Sequence, residues 1–292
     1  MDHNKDYLCI MKKLIFFILI VLSAPLMASS QTINYEVYAL KFASSAHPIP
    51  ISEFAMNGPD NDSVNIFFMI WLIKGNNAKN ILVDAGFLND VKEAKDFNVT
   101  NYIRPDSMLL RLNLRAEDIT DIILSHPHWD HIDGIDLFPN AHVWIQKEDF
   151  NYFVSTAWQK GGNNGGFDKR DVRKLIDLNL AGKLTLVDGD DKEIIPGIKV
   201  YTGSRHTFNS QYVLVETAAD KIVLASDNIW IYYNLEHLRP APPYGTFDTS
   251  AYVKSMQRMK TLVSNMKYII PGHDSKMFSI FPIIKEGVIK IK

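Results

Sequence analysis

Apolar and polar residues alternate along several segments of the chain, and this alternation predicts β-strands. The segment INYEVYALKF at 33–42 has the pattern of a half-buried strand. The segment NIFFMIWLIKGNNAKNILVDAGF at 65–87 predicts two strands joined by a Gly-Asn-Asn turn, as in a hairpin. Further strands are predicted in TDIILSH, AHVWIQ, KLTLVDGDDKEIIPGIKVYTG, QYVLVETAADKIVLASD and KYIIPGHD.

Helical spacing of apolar residues appears in three other segments, DSMLLRLNLRAEDI, KEDFNYFVSTAWQK and AYVKSMQRMKTLVSN. The segment GGNNGGFDKR at 161–170 is rich in Gly and Asn, which predicts a loop, either a surface connector or a mobile lid. Runs of strands with helices interspersed favour an α/β domain in which helices cover sheets.

The first thirty residues have the anatomy of a secretory signal peptide. A basic start, MKK, precedes the apolar run LIFFILIVL, and SAPLMASSQ then offers small residues for cleavage. The apolar run is too short to span a bilayer. We therefore expect residues 1–30 to be a signal peptide with an upstream extension at 1–10, and residues 31–292 to form one exported domain, periplasmic or secreted. An uncleaved N-terminal anchor is the alternative.

Composition narrows the chemistry of the mature chain. The formal net charge of the full chain is −2 and no basic block occurs, so no nucleic-acid partner is expected. The only cysteine, Cys9, precedes the predicted cleavage point, so the mature chain would have no disulfide and no thiolate ligand or nucleophile. We expect no stable membrane insertion after signal cleavage.

Three of the nine histidines fall within SHPHWDHIDG at 125–134. His126 and His128 are two residues apart, so in an extended segment they point to the same side and can bind one metal ion. Asp130 and His131 would follow a turn and present a second set of ligands. Imidazole and carboxylate groups suit zinc, and two neighbouring ions need a shared carboxylate between them.

Three more polar residues follow predicted strands, where an α/β scaffold brings functional side chains together. His206 follows the strand at 197–202, Asp227 follows 221–226, and His273 follows 267–270. Asp227 is the natural candidate for the shared carboxylate. His206 and His273 would then complete the two sets of ligands.

The motif HxHxDH, at 126–131, resembles the signature of the metallo-β-lactamase superfamily. The segment LVDAGF before this motif and the segments SRHT, LASD and PGHD after it stand in the order typical of that family. The resemblance therefore runs from about residue 35 to the C-terminus. It implies a single-domain, four-layer αββα sandwich over residues 31–292. It further implies one zinc held by His126, His128 and His206, a second held by Asp130, His131 and His273, Asp227 as the bridge, and Asp84 orienting a ligand histidine or its loop.

Within the superfamily the chain is most similar to the N-acyl homoserine lactonases. Those enzymes usually carry a tyrosine three residues after the bridging aspartate, where it contacts the lactone carbonyl, but this chain has Trp230. An indole N–H can donate a hydrogen bond but cannot act as a phenol would. Tyr232 and Tyr233 follow closely, so we expect Trp230, Tyr232 or Tyr233 to position the substrate. Aromatic packing over the pocket is the alternative for the two tyrosines.

The resemblance implies a dizinc hydrolase that opens a lactone or cleaves a carboxylic ester by attack of a metal-bridging hydroxide. Asp130 would bind the second zinc and orient that hydroxide. Phosphodiester, phosphotriester or thiolester hydrolysis on the same metals is the alternative. β-Lactam hydrolysis is disfavoured because β-lactamases lack the bridging aspartate, and a non-catalytic binding protein would usually have lost a ligand.

Two properties stay open at this stage. Other divalent transition metals could occupy the same ligands as zinc. The sequence does not determine the oligomeric state, for which a homodimer is one alternative.

Overall fold

The computed structural model describes residues 34–292, which fall within one compact unit. The predicted signal peptide lies outside these residues. The strands are β1 (Tyr35–Ser45), β2 (Ile49–Pro50), β3 (Ser63–Val64), β4 (Phe67–Gly75), β5 (Asn80–Val83), β6 (Val99–Thr100), β7 (Asp121–Ile123), β8 (His142–Gln146), β9 (Leu184–Val187), β10 (Lys192–Ile195), β11 (Ile198–Thr202), β12 (Gln211–Glu216), β13 (Lys221–Ser226), β14 (Ile269–Pro271), β15 (Ile283–Lys285) and β16 (Val288–Lys290).

The α-helices of the described residues are short, apart from two, and 3₁₀ turns connect several elements. They are α1 (Lys92–Asp96), α2 (Pro105–Leu109), α3 (Trp129–Ile132), α4 (Lys147–Val154), α5 (Lys169–Leu180), α6 (Tyr232–His237), α7 (Thr249–Leu262) and α8 (Met277–Ile280). Within residues 34–292, none of these helices has the length and apolar character that crossing a bilayer requires.

Two large sheets form the centre of the domain. The nine-stranded sheet has the order β15-β16-β1-β4-β5-β7-β8-β9, with β6 paired to β1, and the five-stranded sheet runs β10 to β14 in sequence order. Strands β4 and β5 pair antiparallel, which confirms the predicted hairpin. Strands β5, β7 and β8 are parallel, so their carboxyl ends lie at one edge of the sheet.

Successive side chains along each strand point to opposite faces of its sheet, and both faces of each sheet are covered. In β4, Ile70 and Leu72 belong to a core shared with helices, whereas Trp71 and Ile73 belong to a core shared with the five-stranded sheet. On the outer face of the five-stranded sheet, Val223 of β13 packs with residues of α7. The layers are therefore helices, sheet, sheet and helix, which confirms the αββα expectation.

The structure differs from the predicted elements in a few places. In the segment 106–119, which predicts an amphipathic helix followed by a short turn, the α-helix is limited to α2, because Asn113 takes a left-handed conformation (φ 58°) between two 3₁₀ turns. Helix α5 was not predicted, although Val172, Leu175 and Ile176 have helical spacing and Asp168 caps its N-terminus. The C-terminal hairpin of β15 and β16 was also missed.

Candidate metal centre

The nine-stranded sheet positions the first part of the site at its carboxyl-end edge. Asp84 follows β5, and the segment from Ser125 to His128 follows β7. His128 is the residue before α3, so Asp130 and His131 lie in the first turn of that helix. This turn places the ring of His131 beside that of His126, with 4.1 Å between the ring centroids.

The five-stranded sheet supplies the remaining ligands. His206 lies in the loop after β11, Asp227 directly follows β13, and His273 follows β14. The backbone is left-handed at Arg205 (φ 60°) and at Ser226 (φ 47°), the residues just before His206 and Asp227. Such conformations cost on the order of 1–3 kcal/mol for non-glycine residues and persist where the surrounding structure enforces them.

The seven side chains predicted to bind metal meet in two adjacent groups. Within each group, one possible ligand atom per residue lies within 4.8 Å of the others. The first group is His126, His128, His206 and Asp227, and the second group is Asp130, His131 and His273.

Asp227 lies between the two groups, with one oxygen facing each. Its Oδ2 is 3.4 Å from Nε2 of His206 and 3.9 Å from Nε2 of His126. Its Oδ1 is 2.9 Å from Nε2 of His273 and 3.3 Å from Nε2 of His131. The carboxylate therefore has the geometry of a bridge between two cations.

Three buried atoms of the centre lack any hydrogen-bond partner, namely Nε2 of His126, Nε2 of His131 and Oδ1 of Asp227. A buried polar atom without a partner costs about 1–3 kcal/mol, so native proteins rarely leave one unsatisfied. Here three of them point into one small volume between nitrogen and oxygen donors. Metal ions would satisfy all three, so these residues fit the two-metal centre that the sequence predicts.

The two groups differ in their electrostatics. Burial and the neighbouring imidazoles lower the pKa of His126, and burial lowers the pKa of His128 to about 3, so both rings are neutral, as metal binding requires. Burial opposes protonation of His131 as well, but the carboxylates of Asp130, Asp227 and Asp84 raise its pKa. The carboxylates around His131 therefore favour a positive charge at this position, which a bound cation would supply.

Hydrogen bonds to the outer ring nitrogens orient the histidines. Nδ1 of His206 donates to the carbonyl oxygen of Gly245 (2.8 Å), and Nδ1 of His273 donates to that of Phe67 (3.0 Å). Nδ1 of His131 lies 2.8 Å from Oδ2 of Asp84. In each case Nε2 is left to face the centre, which is the arrangement typical of metal-binding histidines.

A cavity of about 480 Å³ opens over the centre. Its polar part contains ligand side chains of both groups, including His128, Asp130 and Asp227. Most of its wall is apolar and is formed by Ile49, Phe54, Ile66, Phe68, Phe97, Trp129, Phe167, Trp230, Tyr244 and Phe247.

The three aromatic residues expected to position a substrate have separate locations. Trp230 lines the cavity, but Tyr232 and Tyr233 are not among its lining residues. Both tyrosines lie in the first turn of α6, where Tyr232 is buried in the core between the sheets and Tyr233 packs on His237 with 4.1 Å between ring centroids. The geometry gives no support to a substrate contact by either tyrosine.

Sequence reasoning missed Tyr244, the tyrosine that does line the cavity. Its hydroxyl donates to the backbone oxygen of Glu53 (2.6 Å) across the cavity mouth. Tyr244 lies in a 3₁₀ turn (Pro243–Gly245) that has no spacing relation to the metal ligands, so the sequence contained no signal for it.

The glycine-rich loop at 161–167 packs against the centre. The carbonyl oxygen of Gly166 accepts a hydrogen bond from the backbone N–H of Trp129 (2.9 Å). Gly166 has φ +77°, and a Cβ atom there would lie 2.7 Å from Cδ2 of His128. The loop therefore forms one wall of the first group.

Comparisons with known proteins agree with this geometry. Residues 68–273 match the family model described as the metallo-beta-lactamase superfamily. An N-acyl homoserine lactonase of Bacillus cereus is 29% identical over 180 residues, which cover 60% of this chain and 65% of that protein. The match thus spans just under two thirds of that relative. The N-acyl homoserine lactonase AttM of Rhizobium johnstonii is 23% identical over 270 residues, 87% of this chain and 94% of that protein.

Solved structures with the same fold include a quorum-quenching N-acyl homoserine lactone lactonase, with a TM-score of 0.67 and 21% identity over 85% of this chain and 96% of that one. Another is AidC, a dizinc quorum-quenching lactonase, with a TM-score of 0.61 and 19% identity over 88% of this chain and 94% of that one. At such identities the likeness concerns the fold alone. The family model, however, covers well over half of the chain and includes the HxHxDH motif, so the chain belongs to the metallo-beta-lactamase superfamily.

Proposed function

We propose that this protein is a dizinc hydrolase that opens lactones, with N-acyl homoserine lactones as the first substrate class to test. The observation that carries the proposal is the Asp227 carboxylate, whose two oxygens face two separate groups of ligands at the base of an apolar cavity. The names of the relatives from Bacillus and Rhizobium support the choice of substrate class.

The ligand groups assign the residues that would hold each ion. His126, His128 and His206 would hold the first, Asp130, His131 and His273 the second, and Asp227 both. When bound, two such ions lower the pKa of a water molecule toward about 7 and polarise a carbonyl oxygen.

Asp130 is the residue of this chain best placed to handle a proton during hydrolysis. It lines the cavity, and its Oδ2 lies 3.3 Å from Nε2 of His131 and 3.5 Å from Nε2 of His273. The carboxylate would orient the attacking water and accept its proton as oxygen bonds to the acyl carbon. The ring C–O bond then breaks, and the same proton passes to the alkoxide that leaves.

The cavity wall favours an acyl substrate over a phosphoester. Phe54, Phe97 and Phe247 are among the apolar side chains that line it, and they suit an acyl chain. Within the described part of the chain, the lining includes no lysine and no arginine, the side chains that commonly bind phosphate. Aryl or alkyl carboxylic esters fit the same features and form the second substrate class.

Hydrolysis of a panel of N-acyl homoserine lactones, aryl esters and phosphoesters by the zinc-loaded protein tests the proposal. We expect turnover of lactones and its loss in Asp227→Asn. Asp220→Asn is the matched control, since it changes the same group in the turn before β13, at the opposite end of that strand. Good phosphoester turnover without lactone turnover would refute the assignment.

We also propose that the protein acts outside the cytoplasm. The basic, apolar and small-residue segments at 11–30 support this, as does the lack of cysteine after residue 9. Fractionation of the host expressing the full chain, with N-terminal sequencing, tests it. We expect a mature start just after Ala28 or Ser30, and an uncleaved cytoplasmic chain would contradict the proposal.

A further inference from the structure

The indole of Trp230 is hydrogen-bonded to the carboxylate between the two ligand groups. Its Nε1 lies 2.8 Å from Oδ2 of Asp227. An indole N–H is a single donor with no acceptor, so this contact uses its entire hydrogen-bonding capacity. Trp230 therefore has no donor left for a substrate carbonyl, although it lines the cavity.

The same oxygen of Asp227 also faces the first group, where Nε2 of His206 is 3.4 Å away. A carboxylate oxygen has two lone pairs, so Oδ2 can accept from the indole and still bind a cation. With Oδ2 fixed in this way, Oδ1 is directed at His273 and His131 of the second group. The indole contact thus sets the rotation of the carboxylate about its own axis.

Close packing holds the indole ring in place. Phe54 meets it edge to face with 5.7 Å between ring centroids. On the side of Gly245 there is no room for a side chain, because a Cβ atom there would lie 2.0 Å from Cη2 of Trp230. The carbonyl oxygen of Gly245 also accepts the hydrogen bond from Nδ1 of His206.

The backbones of the two residues are tied together as well. Tyr252 is fully buried. Its hydroxyl accepts a hydrogen bond from the backbone N–H of Trp230 and donates one to the backbone oxygen of Asp227, and both distances are 3.1 Å. The side chains and the main chain of this segment therefore fix the same relationship between Trp230 and Asp227.

We infer that Trp230 is a positioning residue that holds the Asp227 carboxylate in its bridging orientation, and that it does not bind the substrate carbonyl. The inference rests on the metal binding in the proposed function but not on the identity of the substrate. It replaces the expectation that Trp230 takes over the substrate contact of the lactonase tyrosine.

Zinc affinity measured by chelator competition, together with zinc stoichiometry, tests the inference on the purified protein. Trp230→Phe keeps an aromatic ring and removes the N–H, and we expect at least one of the two zinc ions to bind 10–100-fold more weakly. Trp144→Phe is the matched control, because the Trp144 indole donates to the carboxylate of Asp121 (3.1 Å), which is not a residue of either ligand group. Its zinc affinity should equal that of the wild type.

Gly245→Ala provides a second route to the same defect, since the new methyl group must displace the indole. We expect a comparable loss of zinc affinity and no further loss in the double variant, whereas a further loss would place the effect of Gly245→Ala on its hydrogen bond with His206. Should Trp230→Phe lack the far-UV circular dichroism of the wild type, Gly245→Ala decides, and unchanged zinc affinity there overturns the inference.

The outcomes separate this inference from the proposed function. Trp230→Phe with both zinc affinities unchanged and only KM raised would make Trp230 a substrate contact and overturn the inference. A wild-type protein that binds no zinc would instead remove the proposed function, on which the inference depends.

Discussion

Oδ2 of Asp84 lies 2.8 Å from Nδ1 of His131, and the same carboxylate holds the strand ends that carry two other ligands. It accepts hydrogen bonds from the backbone N–H of Ser125 (2.8 Å) and from the hydroxyl of Ser226 (2.8 Å). Ser125 precedes His126, and Ser226 precedes Asp227. One buried carboxylate therefore fixes ligands of both groups relative to each other.

Asp84→Asn should weaken zinc binding 10–100-fold, because an amide has one acceptor oxygen where the carboxylate has two. Asp84 has φ 62°, a left-handed conformation that asparagine tolerates, so the backbone should be unaffected. Asp191→Asn is the matched control, since Asp191 also has positive φ (51°) but is not a residue of either ligand group. Chelator competition would show the difference, and equal zinc affinity in both variants would contradict the role given to Asp84.

Gly166→Ala should displace the ring of His128 and lower the affinity for zinc by about tenfold or more. The reason is steric, since the added Cβ atom would lie 2.7 Å from Cδ2 of that ring. Gly161→Ala separates this effect from backbone strain: Gly161 also has positive φ (+84°), but no atom lies within 4 Å of a Cβ there. Similar zinc affinities in the two variants would show that the contact with His128 is unimportant.

Zinc should raise the thermal stability of the metal-free protein substantially. His126, His131 and Asp227 each bury an atom without a partner, and a bound cation would satisfy all three. At a free zinc concentration 1,000 times Kd the gain is about 4 kcal/mol, which corresponds to a rise in Tm of roughly 10 °C. Differential scanning calorimetry measures this, with Mg²⁺ as the control ion because it prefers oxygen ligands. A rise of the same size with Mg²⁺ would contradict a nitrogen-rich site.

The titration of Asp149 should make the stability of the folded protein depend on pH. Its buried carboxylate accepts hydrogen bonds from Thr207 Oγ1 (2.6 Å) and the Asn209 backbone N–H (3.0 Å), which hold the loop after His206. Burial outweighs these contacts and raises the pKa from 3.8 to about 6. The folded protein therefore keeps a proton that the unfolded chain has released, so this contribution is complete below pH 4 and is lost as the pH rises through 6.

Urea unfolding of the metal-free wild type and of Asp149→Asn at pH 5 and pH 7.5 measures that contribution. The free energy of unfolding of the wild type, relative to the variant, should fall by about 1.4 kcal/mol between the two pH values. A difference that does not change with pH would show that Asp149 is ionised in the folded state throughout this range.

The sequence predicted the metal centre better than the cavity above it. His126, His128 and Asp227 lie at or just beyond strand ends, where alternation and turns determine the backbone, so their meeting could be expected from the pattern. The partners of Asp84 could be expected only in part, because its contact with Ser226 joins segments 142 residues apart in two sheets.

Residues around the cavity depend on packing that local pattern does not encode. Tyr232 follows Trp230 closely in sequence, but the start of α6 turns it into the core between the sheets. The approach of Gly245 to the Trp230 indole brings together a short 3₁₀ turn and a strand-end loop, and neither has a periodic signal.

Anomalous X-ray scattering from crystals of the zinc-loaded protein tests the central claim most directly. We expect two zinc peaks separated by about 3.5–4 Å, with one carboxylate oxygen of Asp227 bound to each. A single peak, or two peaks that Asp227 does not join, would contradict the two-metal centre and the hydrolytic function proposed from it.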